Sequence, residues 1–404
     1  MELGVESSPA GSRPPAVNTH VHLPPNFSAF ANLGQAVEAA RHQGLLALGI
    51  SNFYDQRVYA EFGRLARANG LTPLFGLEFI TLASDLAAAG IRVNDPANPG
   101  RMYFCGKGID PARPLSDRAQ ATAEQIRRGN DQRAERMVER LSDHLSGAGL
   151  DCAWSAQTIA AQVAERAQVP LEWVSLQERH IALALQQALS ELDRPRRAAV
   201  LERAYGGPSQ VDLDDPVALQ GELRARLMKA STPGFVAEVP LDFEAAFDYV
   251  LDRGGIPCYP TLADGVDPVC PFEASPERLA QALVDRGVWA AELIPLRNRR
   301  AVVDRYVEAF QAAGLIVMAG TEHNTADRVP LDPFCLDGPV SAQSRQAFYE
   351  ATCLVAAHAA RTSQGQPGYV DGQGRLIARG SERSRLVEQG RAILEAQEEP
   401  CPTR

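Results

Sequence analysis

The chain has 404 residues, 45% of them hydrophobic and 22% charged, so it can bury a sizeable core and is not globally disordered. Its 40 Lys and Arg against 50 Asp and Glu give a net charge of −10, which disfavours binding of nucleic acid through bulk charge. The apolar runs are too short to span a membrane, no signal peptide is evident, and the seven cysteines contain no CxxC pair. We therefore expect a cytoplasmic protein without a disulfide framework, built as two or three domains or as one interrupted barrel.

Residues 1–115 alternate apolar runs of strand length with amphipathic helical segments. This alternation predicts βαβ units and a parallel sheet, the first part of a barrel. The predicted strands are 16–22, 45–51, 73–82 and 102–105, and the predicted helices are 33–43 and 55–69.

Residues 116–236 differ in composition, being rich in Ala, Gln, Arg, Glu and Leu and poor in β-branched residues. The segment predicts an all-helical insertion, or lid, with helices over 119–145, 155–167 and 175–192 and an interruption near Gly129. Ser175 and Glu178 have the S-x-x-E spacing of a capping box, which predicts that the third helix begins there.

The strand and helix alternation returns over 237–325, where helices 241–253, 276–287 and 298–313 precede strands 256–261, 288–295 and 315–321. With the four earlier strands this makes seven, so we predict an α/β fold, a distorted (β/α)7 TIM-like barrel with an all-helical insertion. Residues 326–404 are expected to form a C-terminal helical extension and tail.

Several metal-ligating side chains follow the predicted strands, and in a βα barrel the active site lies where the strands end. His20 and His22 share one face of the first strand because side chains alternate along a strand. Two imidazoles beside a carboxylate suit zinc, manganese or iron. We predict one or two divalent ions, held by His20, His22, Glu78, Glu322 and His323, with Glu322 or His323 as general acid or base.

Other interpretations of these residues are open. The two histidines also fit ordinary polar positions near a turn, and the T-E-H-N run fits a helix start because Thr321 and Asn324 cap helices well. For Glu292 we favour an ion pair with Arg297 or Arg299 over metal ligation.

Basic residues near the predicted strand ends are candidates for binding an anionic group of the substrate. Arg in particular binds phosphate or carboxylate through two parallel hydrogen bonds, although any single one of these residues also fits a solvated surface charge. The candidates are Arg101, Lys107, Arg179 and His180. No P-loop, GxGxxG or GxSxG motif appears, so neither a nucleotide cofactor nor a serine nucleophile is indicated.

Several motifs occur in an order that resembles the PHP (polymerase and histidinol phosphatase) superfamily, over most of the chain up to about residue 325. They are N-T-H-V-H-L at 18–23, G-L-E at 76–78, G-G-I-P-C-Y-P at 254–260 and A-G-T-E-H-N at 319–324. Two segments of the insertion, E-R-H-I-A-L-A at 178–184 and P-G-F-V at 233–236, are similar to the subgroup that hydrolyses nucleoside phosphates and RNA 5′ ends.

The chain departs from the family at positions where the resemblance implies further metal ligands. Asn52, Phe53, Tyr103 and Tyr259 stand where the family has ligating side chains or where one is expected nearby. A trinuclear cluster is therefore not expected, and one or two ions are.

The resemblance implies a metal-dependent hydrolase, with a phosphoester of a small metabolite or nucleotide as substrate and Arg179 and His180 reaching it from the lid. One alternative is a catalytically inactive barrel that serves as a binding or regulatory module, and another is a hydrolase of a metabolite without phosphate. An RNA-processing enzyme is less favoured, because the arginines at 127–140 are interleaved with glutamates and so fit a solvated helix face.

Overall fold

The computed structural model describes residues 14–150 and 154–396, and its centre is a nearly closed, barrel-like sheet of seven strands surrounded by helices. This confirms the predicted TIM-like α/β barrel. The strands are β1 (Ala16–Val21), β2 (Leu45–Ile50), β3 (Thr72–Leu82), β4 (Arg101–Lys107), β5 (Leu241–Asp242), β6 (Ile256–Thr261), β7 (Ala290–Leu293), β8 (Ile316–Ala319), β9 (Phe334–Cys335) and β10 (Gly338–Pro339). β5 pairs only with β3, and β9 and β10 form a separate ribbon.

The barrel strands run in the order β1-β2-β3-β4-β6-β7-β8, and they are parallel except for β4. The strands separated by helices are thus parallel, as predicted, whereas the strand predicted at 102–105 is antiparallel to its neighbours. The link between β3 and β4 contains only a five-residue helix, and a parallel connection normally needs a longer helical crossover. The chain instead returns beside β3, so that Lys107 at the end of β4 pairs with Gly76 in β3 and with Ile256 at the start of β6.

Helices flank the barrel before and after the insertion, which is itself helical. The last helices cover the base of the barrel, which is the end where the parallel strands begin. In chain order the helices are α1 (Leu33–His42), α2 (Tyr59–Ala68), α3 (Ser84–Ala88), α4 (Asp117–Gly147), α5 (Ala156–Ala167), α6 (Glu178–Ser190), α7 (Arg194–Tyr205), α8 (Pro216–Leu227), α9 (Phe243–Asp252), α10 (Pro276–Asp285), α11 (Arg300–Ala312), α12 (Ala342–Thr362) and α13 (Ser381–Glu395). Short 3₁₀ turns occupy Leu171–Trp173, Ala263–Gly265 and Pro295–Arg297.

Helices α4 to α8 share a hydrophobic core of their own, which includes Met137, Leu141, Leu185 and Leu223. α4 is continuous over 31 residues, so the predicted interruption near Gly129 was wrong. One glycine costs a helix only about 1 kcal/mol, which neighbouring turns offset. The domain boundaries at residues 115, 236 and 325 stay a prediction.

The start of α6 also differs from the prediction. Gln177 is the N-cap residue, and the His180 ring closes the capping box by accepting a hydrogen bond from the Gln177 backbone N–H at 3.1 Å. The N-cap therefore lies two residues after Ser175, and Glu178 instead forms ion pairs with Arg224 and Lys229.

Helix α12 closes the base of the barrel. Its buried face, including Leu354 and Val355, belongs to one hydrophobic cluster with early strand residues such as Val17 and Ile256. A Cβ at Gly108, directly after β4, would lie 3.2 Å from Val355. Among residues 14–150 and 154–396, no helix combines the length and apolarity that a bilayer span requires.

Two glycine-to-alanine variants test the packing of the C-terminal helices. In α13 an added Cβ at Gly390 would lie 1.7 Å from the Cys353 carbonyl oxygen of α12, whereas at Gly129 in α4 it would meet nothing within 4 Å. We expect Gly390→Ala to lower the melting temperature by several degrees, and Gly129→Ala to raise unfolding free energy by up to about 1 kcal/mol. Thermal denaturation followed by circular dichroism measures both, and equal melting temperatures would contradict the close helix contact.

Candidate metal centre

Three of the predicted ligands converge inside the mouth of the barrel, the end at which the parallel strands finish. His20 lies in β1, His22 lies one residue beyond it, and Glu78 lies in β3. The His20 Nε2 atom is 3.3 Å from His22 Nε2 and 3.5 Å from Glu78 Oε2, and His22 Nε2 is 3.1 Å from Glu78 Oε2. All three side chains are buried, with at most 5% exposed.

These separations fit a divalent ion. Ligand atoms bound at about 2.0–2.2 Å in a tetrahedral shell lie about 3.3–3.6 Å apart, close to the observed triangle. The buried Glu78 Oε2 atom receives no well-aligned hydrogen bond, so a cation would satisfy it. Three protein ligands leave a coordination position open, as in catalytic rather than structural sites.

The charges around Glu78 favour its ionised form. Burial alone would raise the pKa of the Glu78 carboxyl, but the adjacent His20 and His22 imidazoles outweigh burial and lower it to about 2. A carboxylate is therefore ready for a cation at neutral pH, because a metal ligand must be deprotonated.

A second acidic group, Glu292 of β7, lies behind His20. Its Oε2 atom accepts a hydrogen bond from His20 Nδ1 at 2.6 Å, and its Oε1 atom lies 2.8 Å from the Lys107 ammonium. The interpretation that Glu292 pairs with Arg297 or Arg299 was therefore wrong. A carboxylate on the far nitrogen fixes the ring so that Nε2 faces the other ligands.

His20 and Glu292 are held as a charged pair by their surroundings. Burial lowers the pKa of His20, but the Glu292 carboxylate, together with Glu78, outweighs burial and the Lys107 ammonium and raises it to about 9. Burial raises the pKa of Glu292, but Lys107 and His20 lower it to about 2. Binding of a cation to His20 would accordingly release a proton.

The predicted ligands Glu322 and His323 lie apart from the three converging side chains. Arg297 binds the Glu322 carboxylate through both of its terminal nitrogens, one of them at 2.9 Å. Both His323 ring nitrogens are also engaged, with the Thr321 hydroxyl at 2.9 Å and the Val329 carbonyl at 3.0 Å. Their roles in metal binding or catalysis stay a prediction.

The backbone at Glu322 and His323 is unusual. Both residues have positive φ values, 57° and 53°, although neither is glycine. The strained segment closes the barrel, because Glu322 accepts a hydrogen bond from the His22 amide at 2.7 Å and donates one to the His20 carbonyl at 2.9 Å. Such strain costs about 1–3 kcal/mol per residue and is typical of functional sites.

The four predicted substrate-binding residues occupy different environments. Lys107 is buried beneath His20, and Arg101 forms ion pairs with Asp95 and Glu238. His180 is 4% exposed and caps α6. Of the four, Arg179 alone has no hydrogen bond or ion pair within the described parts of the chain.

Arg179 lies close to the mouth in an electropositive setting. Its pKa is lowered to about 10, first by burial and then by Arg224 and Arg297, while Glu322 and Glu178 act in the opposite direction. The Gln177 side chain ties this end of α6 to the loop after β1 by accepting a hydrogen bond from the Phe27 amide at 2.6 Å.

The residues that replace expected ligands have structural contacts instead. Asn52 exchanges two hydrogen bonds of 2.8 Å with the backbone of Leu23, and the Phe53 ring stacks on His22 at 4.7 Å between centroids. The Tyr259 hydroxyl donates to Glu273 at 2.9 Å. The Asn52 and Phe53 contacts lie beside His22, whereas Tyr259 is engaged with Glu273.

The sequence analysis treated Glu292 as an ion-pair residue and did not consider Cys105. These two residues with His20 form a second group of ligand atoms within 4.8 Å of one another. Cys105 lies in the antiparallel strand β4, and Glu292 lies in β7. One signal was available, since Lys107 is one of only two lysines in the chain.

Comparisons with known proteins agree with the fold. No model of a protein family matches the sequence, and a search of curated proteins found no match. A solved structure of a proposed metal-dependent phosphoesterase from Bifidobacterium adolescentis has a TM-score of 0.52 and 17% identity, over 84% of this chain and 97% of its own. An amidohydrolase from Chromobacterium violaceum, with bound sulfate and no metal, has a TM-score of 0.49 and 16% identity, over 82% of this chain and 96% of its own. The first likeness supports the barrel fold.

The stability of the insertion should depend on pH through His180. Burial lowers the pKa of this ring to about 3, below the ordinary value of 6.5. As pH falls, this ring therefore takes up a proton in the unfolded chain before it does so in the folded chain. The free energy of unfolding that is present above about pH 6.5 is lost as pH falls toward 3, by up to about 5 kcal/mol. His180→Gln retains a capping side chain and removes this titration, so its unfolding free energy should fall less between pH 7 and 5 in urea titrations.

The exposed His42 of α1 provides the matched control, because its side chain is 63% exposed. His42→Gln should leave the pH dependence of the wild type unchanged. The same slope in all three proteins would show that His180 is not held neutral.

Proposed function

We propose that this protein is a metal-dependent hydrolase, a divergent barrel of the PHP type, with His20, His22 and Glu78 as ligands to a divalent ion. The observation that carries the proposal is the triangle of buried ligand atoms with sides of 3.1–3.5 Å. A bound zinc, manganese or iron ion would lower the pKa of a coordinated water and polarise the scissile group. A barrel that only binds a partner has no need for such a centre.

For the substrate we propose a small metabolite with an anionic group, and a phosphoester before a carboxylate. The fold neighbour from Bifidobacterium adolescentis is described as a proposed metal-dependent phosphoesterase. The Arg179 guanidinium lies near the mouth, where its electrostatic neighbours include Arg297 and Glu322, and a guanidinium binds phosphate oxygens in pairs.

The other residues orient these groups and exclude water. Glu292 holds His20 with Nε2 toward the centre, and α12 closes the base of the barrel. Of the two predicted acid–base residues, Glu322 has the more accessible position beside Arg297, whereas both His323 nitrogens are engaged. We therefore propose that Glu322 carries the proton to or from the substrate.

The metal requirement is tested with His20→Ala, His22→Ala and Glu78→Gln. We expect each variant to lower the affinity for Mn²⁺ or Zn²⁺ at least 100-fold in calorimetric titration, and to abolish phosphate release from a panel of phosphomonoesters and nucleotides. His42→Ala, at an exposed position, should match the wild type.

A wild-type protein that binds neither ion would favour the alternative of an inactive binding module. Metal binding with no phosphate release would favour the alternative of a hydrolase whose substrate carries no phosphate.

Arg179 is expected to contribute to substrate binding. Hydrogen bonds to a charged group contribute about 1.5–3 kcal/mol, so Arg179→Ala should raise KM about 10-fold or more while kcat changes little. The exposed Arg196 of the same insertion, 77% exposed, provides the control variant Arg196→Ala. An unchanged KM for Arg179→Ala would show that Arg179 does not contribute to substrate binding.

A further inference from the structure

The Lys107 ammonium is surrounded as a bound cation would be. Its Nζ atom lies 2.8 Å from Glu292 Oε1, donates hydrogen bonds to the Ser51 hydroxyl at 2.9 Å and the Thr19 carbonyl at 3.1 Å, and lies 3.5 Å from His20 Nδ1. The side chain is only 2% exposed. Three oxygen atoms thus face one compact positive charge inside the barrel.

This ammonium contacts two of the three members of the second group of ligand atoms, Glu292 at 2.8 Å and His20 at 3.5 Å. Cys105 and Glu292 with His20 are the donors available there, and both Glu292 oxygens are already in use. Oε1 contacts Lys107 and accepts a hydrogen bond from the Thr19 hydroxyl at 2.7 Å, while Oε2 accepts from His20. A metal ion could enter this position only by displacing the ammonium.

The choice of lysine is informative in this chain, which contains 38 arginines and only two lysines. Guanidinium is planar and extended, whereas an ammonium is a compact point charge with donors in several directions. Only the latter has the shape to replace a metal ion among converging oxygens. The other lysine, Lys229, is half-exposed on the insertion, where it pairs with Glu178.

The charge balance of the interior leads to the same conclusion. Glu78 and Glu292 are the two buried acidic groups near the centre, and Lys107 already offsets one of them. With one divalent ion at Glu78, the buried groups carry a small net positive charge, which bound hydroxide or an anionic substrate can neutralise. A second divalent ion would add a much larger excess in a medium where charges are poorly screened.

We infer that Lys107 is a built-in cation that permanently occupies the second position of the centre, so that the barrel takes up one divalent ion and no more. The inference rests on the proposed function, because it takes the triangle of His20, His22 and Glu78 as the position that remains for the ion. Lys107 then acts as a positioning residue, since its ammonium contacts the Glu292 carboxylate that holds the His20 ring.

The stoichiometry of the wild type is the first test. Protein dialysed against excess Mn²⁺ and then freed of loose ions should hold one equivalent by elemental analysis. Two equivalents would overturn the inference and leave the proposed function intact. No bound ion would overturn both.

The small number of lysines allows a direct view of the ammonium. Protein labelled with ¹³C at the lysine side chain should give two sets of lysine signals, and Lys229→Arg assigns one of them. One equivalent of Mn²⁺ should broaden the Lys107 signal strongly and leave the exposed Lys229 signal sharp. A Lys107 signal that stays sharp at saturation would show that the ion binds elsewhere, which overturns the inference.

Two variants complete the test. Lys107→Ala empties the second position while Glu292 remains, so this variant should bind a second equivalent of Mn²⁺, and the control Lys229→Ala should bind one. A folded Lys107→Ala that still binds one equivalent would overturn the inference. If Lys107→Ala fails to fold, the double variant Lys107→Ala with Glu292→Gln removes both charges and should bind one equivalent. Two equivalents in the double variant would overturn the inference.

Discussion

Five ionisable groups of the described residues lie together inside the barrel, and each tolerates burial because the others are present. Lys107 offsets Glu292, Glu292 holds His20, and His20 with His22 keeps Glu78 ionised. A lone buried charge would cost several kcal/mol, so removing one member leaves another without compensation. The barrel fold, the orientation of the imidazoles and the readiness of Glu78 for a cation all depend on this charge balance.

Much of the fold and the inner part of the site could be predicted from the sequence, since both follow from short-range patterns. Alternating strands and helices indicate a barrel, and the alternation of side chains places His20 and His22 on one face of β1. The position of Glu78 followed from its place late in a strand. The structure brings these three side chains together, as the sequence pattern indicates.

The parts that were not predicted depend on long-range geometry. A four-residue apolar run does not reveal whether a strand is parallel or antiparallel, and the direction of β4 decides that Lys107 lies beneath His20 instead of at the mouth. The sequence pattern also missed that Glu292 pairs with Lys107 and His20. Glu322 has an arginine partner 25 positions away in the chain, and no local pattern distinguishes that ion pair from metal ligation.

The helix that closes the base of the barrel has a consequence for the order of folding. α12 follows all seven barrel strands in the chain, yet it packs beside Gly108, next to Lys107. During synthesis on the ribosome the strands therefore emerge before their cover, and we expect Lys107 and Glu292 to stay accessible to water until α12 docks. Contacts so distant in sequence form late, so we expect dehydration of the ionic core to be among the last events of folding.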